Sequence, residues 1–148
     1  VPVPAHPPRT GRTVLALLAL VYTGLVCRVT MDPTPPDVSS DQSMVTLVLD
    51  RLAQHPATAW ITFDRVEFLA NVAMFVPFGL LIALLTGRRR WWLAILAGAV
   101  FTCVIESVQG LFLPARFADP SDLVANTLGA LLGAVIALGV RTVRAHPS

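Results

Sequence analysis

The sequence predicts an all-α integral membrane protein with four transmembrane helices, on three observations. Of 148 residues, 55% are hydrophobic and 14% charged, with a mean hydropathy of +0.69. A soluble domain carries about 25% charged residues. Apolar runs that reach, or nearly reach, the ~20 residues needed to cross a bilayer fall at about 13–30, 67–86, 91–108 and 122–140. Arginines collect at alternate ends of these runs: Arg9 and Arg12, then Arg88, Arg89 and Arg90, then Arg141 and Arg144. Alternation places all seven on one side of the membrane. Basic residues near span ends mark the cytoplasmic side, so both termini are expected there. A chain of this length makes one domain, expected over 13–144.

In order, residues 1–12 are Pro-rich and basic and are expected to be a disordered tail. The first run, 14–27, becomes long enough to span only with Thr13 and residues 28–30, and Arg28 would then snorkel. Two arginines before a short apolar run also suit a signal peptide. No small-x-small cleavage site follows, and Val26 before Cys27 is not the small residue of a lipoprotein signal. An uncleaved helix is therefore expected. Residues 31–36 make a Pro/Asp loop. Val45, Val48, Leu49 and Leu52 then recur at i, i+3, i+4 and i+7, one helical face. With Ser40 as cap and His55-Pro56 as stop, this predicts an amphipathic helix at about 41–54, too short to span and suited to the membrane surface. Trp60 and Phe63 fit an interfacial belt.

The second span contains Pro77, followed by Phe78 and Gly79. Pro77 has no N–H, so the carbonyl of Ala73 loses its helical partner and a kink is expected. Residues 87–90 form a tight basic turn. The third span opens on Trp91 and Trp92 at the interface, and the fourth begins after the polar turn 109–122.

Polar groups inside apolar spans are costly and default to function. Asn71, Glu106 and Asn126 each fall a few residues below the outer surface, at depths agreeing within about one turn at ~1.5 Å per residue. Each lies at or next to the end of a row of residues four apart: Glu67-Asn71-Phe75-Gly79-Ala83, Ala94-Gly98-Thr102-Glu106 and Asp122-Asn126-Ala130-Ala134. Small residues mark helix contacts in membranes, so the three polar groups are expected to face the bundle interior. Ala125, Gly129, Gly133 and Ala137 form a further small-residue row containing GxxxG. It is a packing face within the chain or, in a homo-oligomer through helix 122–140, between copies.

Asp119-Pro120-Ser121-Asp122 has the composition of a helix start, with Asp119 at the cap and Pro120 at the first helical position. Arg116, the basic residue of the turn, suits either an ion pair with Asp119, Asp122 or Glu106, or an anionic ligand group. Gln109, one turn above Glu106, completes a polar network. Structural network and ligand site are both open for this set.

The net charge of +2 is too small for a nucleic-acid partner. Cys27 and Cys103 sit in apolar runs as small hydrophobes, and His6, His55 and His146 sit in polar flanks or loops. No metal spacing, cofactor motif, Ser/His/Asp set or HExxH is present.

Asn71 with Phe75-Val76-Pro77-Phe78-Gly79 reads N-x3-F-x-P-x-G. Glu106 and Gln109 read E-x2-Q. Arg116, Asp119, Asp122, Asn126 and Gly129 read R-x2-D-x2-D-x3-N-x2-G, with Gly133 one turn on. In this ordered combination, from residue 67 to about 138, the chain resembles the VanZ-like family of small bacterial membrane proteins. The resemblance implies a multi-pass protein of the bacterial plasma membrane with an extracytoplasmic polar site. The family's namesake is associated with resistance to the glycopeptide teicoplanin.

The leading functional expectation is a non-enzymatic envelope protein. Its outer pocket would hold a polar head group, of a membrane lipid or a cell-wall lipid precursor, through Asn71, Glu106, Gln109, Arg116, Asp119, Asp122 and Asn126. One alternative is an intramembrane lipid-acting hydrolase or transferase, with Glu106 as base or nucleophile and Asp122 as acid. The other is a transporter subunit.

Overall fold

A computed structural model describes residues 9–31, 44–112 and 119–144. The tail up to residue 8, the loop at 32–36, the cap Ser40 and Arg116 lie outside the described residues. Within them the chain forms five α-helices, α1 Arg9–Thr30, α2 Met44–Ala53, α3 Phe63–Thr86, α4 Trp92–Phe112 and α5 Pro120–Arg144, with a 3-10 turn at Arg88–Arg90 and no strand.

Four of these helices are long and apolar enough to cross a membrane, over Thr10–Thr30, Phe63–Thr86, Trp92–Phe112 and Pro120–Thr142. At 21 to 24 residues each they run about 31–36 Å, enough for the ~30 Å hydrocarbon core. Their outward faces are apolar: Leu17, Leu20, Val21, Leu69, Val100, Val104, Val124 and Val135 are all more than half exposed. Such a surface is stable against lipid and unstable against water.

The helices run past the expected limits, most of them at their polar ends. α1 begins at Arg9, so residues 9–12, expected in the disordered tail, are helical. α3 starts at Phe63 rather than 67, α4 ends at Phe112 rather than 108, and α5 covers Pro120–Arg144 rather than 122–140. The expected limits followed the apolar runs. Helical hydrogen bonding does not stop where the hydrocarbon does, so polar residues such as Asp64, Arg65 and Gln109 continue the same helices. α2 is described over Met44–Ala53, and residues 41–43 of the expected helix lie outside the described residues. Its Leu49 and Leu52 are half-buried while Leu47 and Val48 are exposed.

α3 is the hub, packing against α1, α4 and α5, and α5 also packs against α4. The α3–α5 contact is the most extensive and rests on glycine. A Cβ at Gly129 would fall on the carbonyl of Val72, one at Gly133 on the carbonyl of Val76, and one at Gly79 on the backbone of Ala130. The small-residue row of α5 is therefore used inside the chain, against α3. Ala125, Ala130, Ala134 and Ala137 are buried with it.

Pro77 lies within a continuous α3. Close to it, the hydroxyl of Tyr22 in α1 donates to the carbonyl of Met74 at 2.8 Å, tying α1 to α3 beside the turn that Pro77 weakens. Phe75, Phe78 and Phe101 cluster with ring centroids 5.2 to 5.8 Å apart, Phe78 stacked on Phe101 and Phe75 tilted against both. Thr23, Thr30, Thr86 and Ser107 return their hydroxyls to carbonyls four residues back, which satisfies them within apolar surroundings. At the turn after α3, Gly87 adopts φ 87°, a conformation open to glycine, and its N–H closes α3 on the carbonyl of Ala83 at 3.1 Å.

Candidate polar site at one end of the bundle

Contacts between helix ends fix the arrangement. The C-terminal ends of α1 and α4 meet through Gln109, whose Nε2 donates to the carbonyl of Thr30 at 2.8 Å. The N-terminal parts of α3 and α5 meet through Asn71, whose Nδ2 donates to Oδ1 of Asp122 at 2.6 Å. The end of α4 meets the start of α5 where the backbone N–H of Asp119 donates to Oε2 of Glu106 at 3.1 Å. One end of the bundle therefore collects six of the seven sequence-derived site residues, from three spans and the cap of the last. The seventh, Arg116, lies outside the described residues.

The local sequence explains each placement. Asp119 caps α5: its Oδ1 accepts the N–H of Ser121 at 2.8 Å, and its carbonyl accepts the N–H of Asp122 at 3.0 Å. Pro120 starts the helix where an N–H has no partner anyway. The cap turns the N–H of Asp119 toward α4, where Glu106 receives it. Asp122, on the first turn of α5, faces α3 and accepts from Asn71. Asp119 and Asp122 both stand within electrostatic range of Glu106.

One turn deeper, Asn126 is 3% exposed and its Nδ2 donates to Oγ1 of Thr102 at 2.8 Å; Thr102 is fully buried. The Oδ1 of Asn126 is buried without a hydrogen-bond partner. Among the described residues it is the buried side-chain polar atom left over, and such atoms are uncommon in folded proteins. Below it lie Phe75, with no exposure, and its aromatic neighbours Phe78 and Phe101. The site is therefore stratified: carboxylates and the helix cap outermost, the Asn126–Thr102 pair beneath, and an aromatic floor.

Beside the layer is an apolar cavity of about 400 Å³, lined by Trp60, Phe68, Leu69 and Ser121 with Asp64 and Arg65 at its edge. Arg65 is held to the carbonyl of Trp60 at 2.6 Å. Ser121 lies next to Asp122 in the chain, so carboxylate and apolar wall adjoin.

A family model described as VanZ/LLP1 matches residues 16–141, most of the chain. The chain belongs to the VanZ/LLP1 family. Comparison with curated proteins and with solved structures gives no match. The matched segment of this VanZ-like membrane protein includes all four spans except the first residues of α1 and the last of α5, and every residue of the polar layer.

Three partners were not among the expected site residues. Thr30 contributes a main-chain carbonyl, which no side-chain pattern signals. Thr102 was visible in the row below Glu106 but read as a small packing residue. Tyr22 is the one tyrosine of the chain; a phenol within an apolar run needs a partner for its hydroxyl, and that was its signal.

Proposed function

We propose that this VanZ-like protein acts in the bacterial plasma membrane as a multi-pass, non-enzymatic envelope protein. Its polar layer binds the head group of a cell-wall lipid precursor or a lipid-tailed glycopeptide, and so contributes to tolerance of teicoplanin. The observation that carries this reading is the unpartnered Oδ1 of Asn126, a buried acceptor one turn beneath the carboxylates, in a layer whose Ser121 also lines an apolar cavity. A ligand with hydroxyl or amide donors and an attached hydrocarbon chain matches both halves of that arrangement. The basic end of the bundle faces the cytoplasm, so the polar layer faces outward. α2 lies on the outer membrane surface, with Leu49 and Leu52 turned inward. Arg116, in the segment between α4 and α5, supplies the positive charge for an anionic group. Any contact between copies through α5 uses its exposed face, because its glycine row is occupied by α3.

The transporter reading is disfavoured by the aromatic floor, which separates the polar layer from the basic end. The hydrolase reading stands or falls on turnover of a labelled polyprenyl lipid by purified protein.

The test is growth inhibition by teicoplanin and vancomycin in a bacterium lacking the protein, complemented with wild type, Glu106→Gln or Arg116→Ala, with membrane levels matched. Gln at 106 retains an oxygen for the N–H of Asp119, so it removes charge without removing the cap contact. Protection by wild type, lost in both variants, is the expected result. Protection that survives both substitutions would remove the outer site from the function.

A further inference from the structure

The opposite end of the bundle holds a second cavity, about 610 Å³, between α1, α3 and α5. That volume falls in the ~300–1,000 Å³ range of small-ligand sites. Leu15, Leu84 and Val140 make its walls apolar, and Arg12 and Arg141 are its charged members. Arg141 is half-buried and fixed, with Nη2 donating to the carbonyl of Leu84 at the end of α3. That carbonyl is among the last of its helix, which have no helical partner. A guanidinium has five N–H donors, so one such bond leaves most of them for the cavity. Gly87 borders the same group: a Cβ there would lie 3.8 Å from Nη1 of Arg141, and a longer side chain would extend across it. Arg12 is exposed, one helix away.

Among the described residues no acidic side chain shares this end: none of the nine acidic residues lies within 9–31, 68–105 or 123–144. All 11 basic residues of the chain are arginine, the side chain suited to bidentate contact with phosphate. Arg88, Arg89 and Arg90 stand exposed on the turn after Gly87 and add to the field. Beside Arg12, the α1 residues Val14, Leu17 and Leu18 are 49%, 56% and 51% exposed, an apolar track running from the cavity along the helix.

We infer that this cavity is a binding site for an anionic phospholipid. Arg12 and Arg141 hold the phosphodiester, and the acyl chains lie along α1. Phosphate alone would use the arginines but not the apolar walls; a zwitterionic lipid would bring a cation into a field with no carboxylate. The site is at the opposite end of the bundle from the polar layer and is independent of its role.

The test is native mass spectrometry of the full chain in neutral detergent, titrated with phosphatidylglycerol, phosphatidylcholine or inorganic phosphate. Phosphatidylglycerol should bind in preference to phosphatidylcholine, and millimolar phosphate should not displace it. Arg12→Gln should weaken phosphatidylglycerol binding roughly fivefold, the effect of one arginine near an anionic surface. The triple change Arg88→Gln, Arg89→Gln and Arg90→Gln should weaken it less than Arg12→Gln, because those residues do not line the cavity. Arg12 makes no packing contribution in the core, so an unchanged thermal midpoint in Arg12→Gln separates binding from folding. Equal binding of the two lipids, displacement by phosphate, or a triple variant as impaired as Arg12→Gln would each overturn the site.

Discussion

Asn126 shows how much a single side chain carries in this molecule. Its amide spans α4 and α5 through Thr102, and both side chains are buried. Hydrogen bonds between membrane helices contribute about 0.6 kcal/mol on average and up to ~1.7 kcal/mol. A double-mutant cycle with Asn126→Leu and Thr102→Val should return a coupling in that range by reversible unfolding in detergent. Thr102→Val alone should cost more than the coupling, since it leaves the Asn126 amide unpaired on both sides, a penalty of about 1–3 kcal/mol for a buried group. Tyr22→Phe should cost about 0.6–1.7 kcal/mol by the same measurement, because its bond to Met74 ties α1 to the bundle. At this scale the sequence was informative about depth and facing and silent about pairing. Asn71, Glu106 and Asn126 could be placed in one layer by counting along their own helices. That Asn71 meets Asp122, and Asn126 meets Thr102, depends on the offset between helices, which no count along one helix supplies.

The element that decides the packing is the glycine seam between α3 and α5. Gly79 on one helix and Gly129 and Gly133 on the other let two backbones approach until carbonyls occupy the space of side chains. Close backbone approach recovers van der Waals contact, the main attraction available between helices in lipid. Gly133→Ala should therefore destabilise the fold by about 1–3 kcal/mol, the usual cost of forcing volume into a packed site, read as a lower thermal midpoint in detergent. Gly139→Ala, on the same helix with nothing within 4 Å of the added Cβ, should leave the midpoint unchanged or raise it, since alanine is the better helix former by about 1 kcal/mol. Equal effects of the two would remove the seam as the source of α3–α5 specificity. The GxxxG row was legible as a packing face. Whether it met another part of the chain or another copy was not, because a stripe of small residues carries no address. The answer lay in α3, whose own Gly79 sits in a row read for its polar head, Asn71, rather than for its gap.

For the molecule as a whole, the distribution of charge and the fold give one geometry. The starts of α1 and α4 and the ends of α3 and α5 share one end, where Arg12, Arg88, Arg89, Arg90 and Arg141 lie; Glu106, Asp119 and Asp122 lie at the other. Spans retain basic flanks on the cytoplasmic side because moving arginine across the bilayer is costly, and short flanks close to the spans carry most of that bias. Alternation was readable from the sequence because three separate arginine groups agree with it, which makes it robust to error in any one helix boundary. The expected topology has both ends of the chain cytoplasmic and the segment between α2 and α3 outside. A phosphatase reporter that folds only outside the cytoplasm should be inactive when fused after Arg144 and active when inserted near His55, in the exposed turn before α3. A green fluorescent reporter at the same two positions should give the reverse pattern. Activity of the phosphatase after Arg144 would invert the molecule in the membrane and place the polar layer, with its carboxylates and its unpartnered Asn126 oxygen, on the cytoplasmic side, where an extracellular glycopeptide could not reach it.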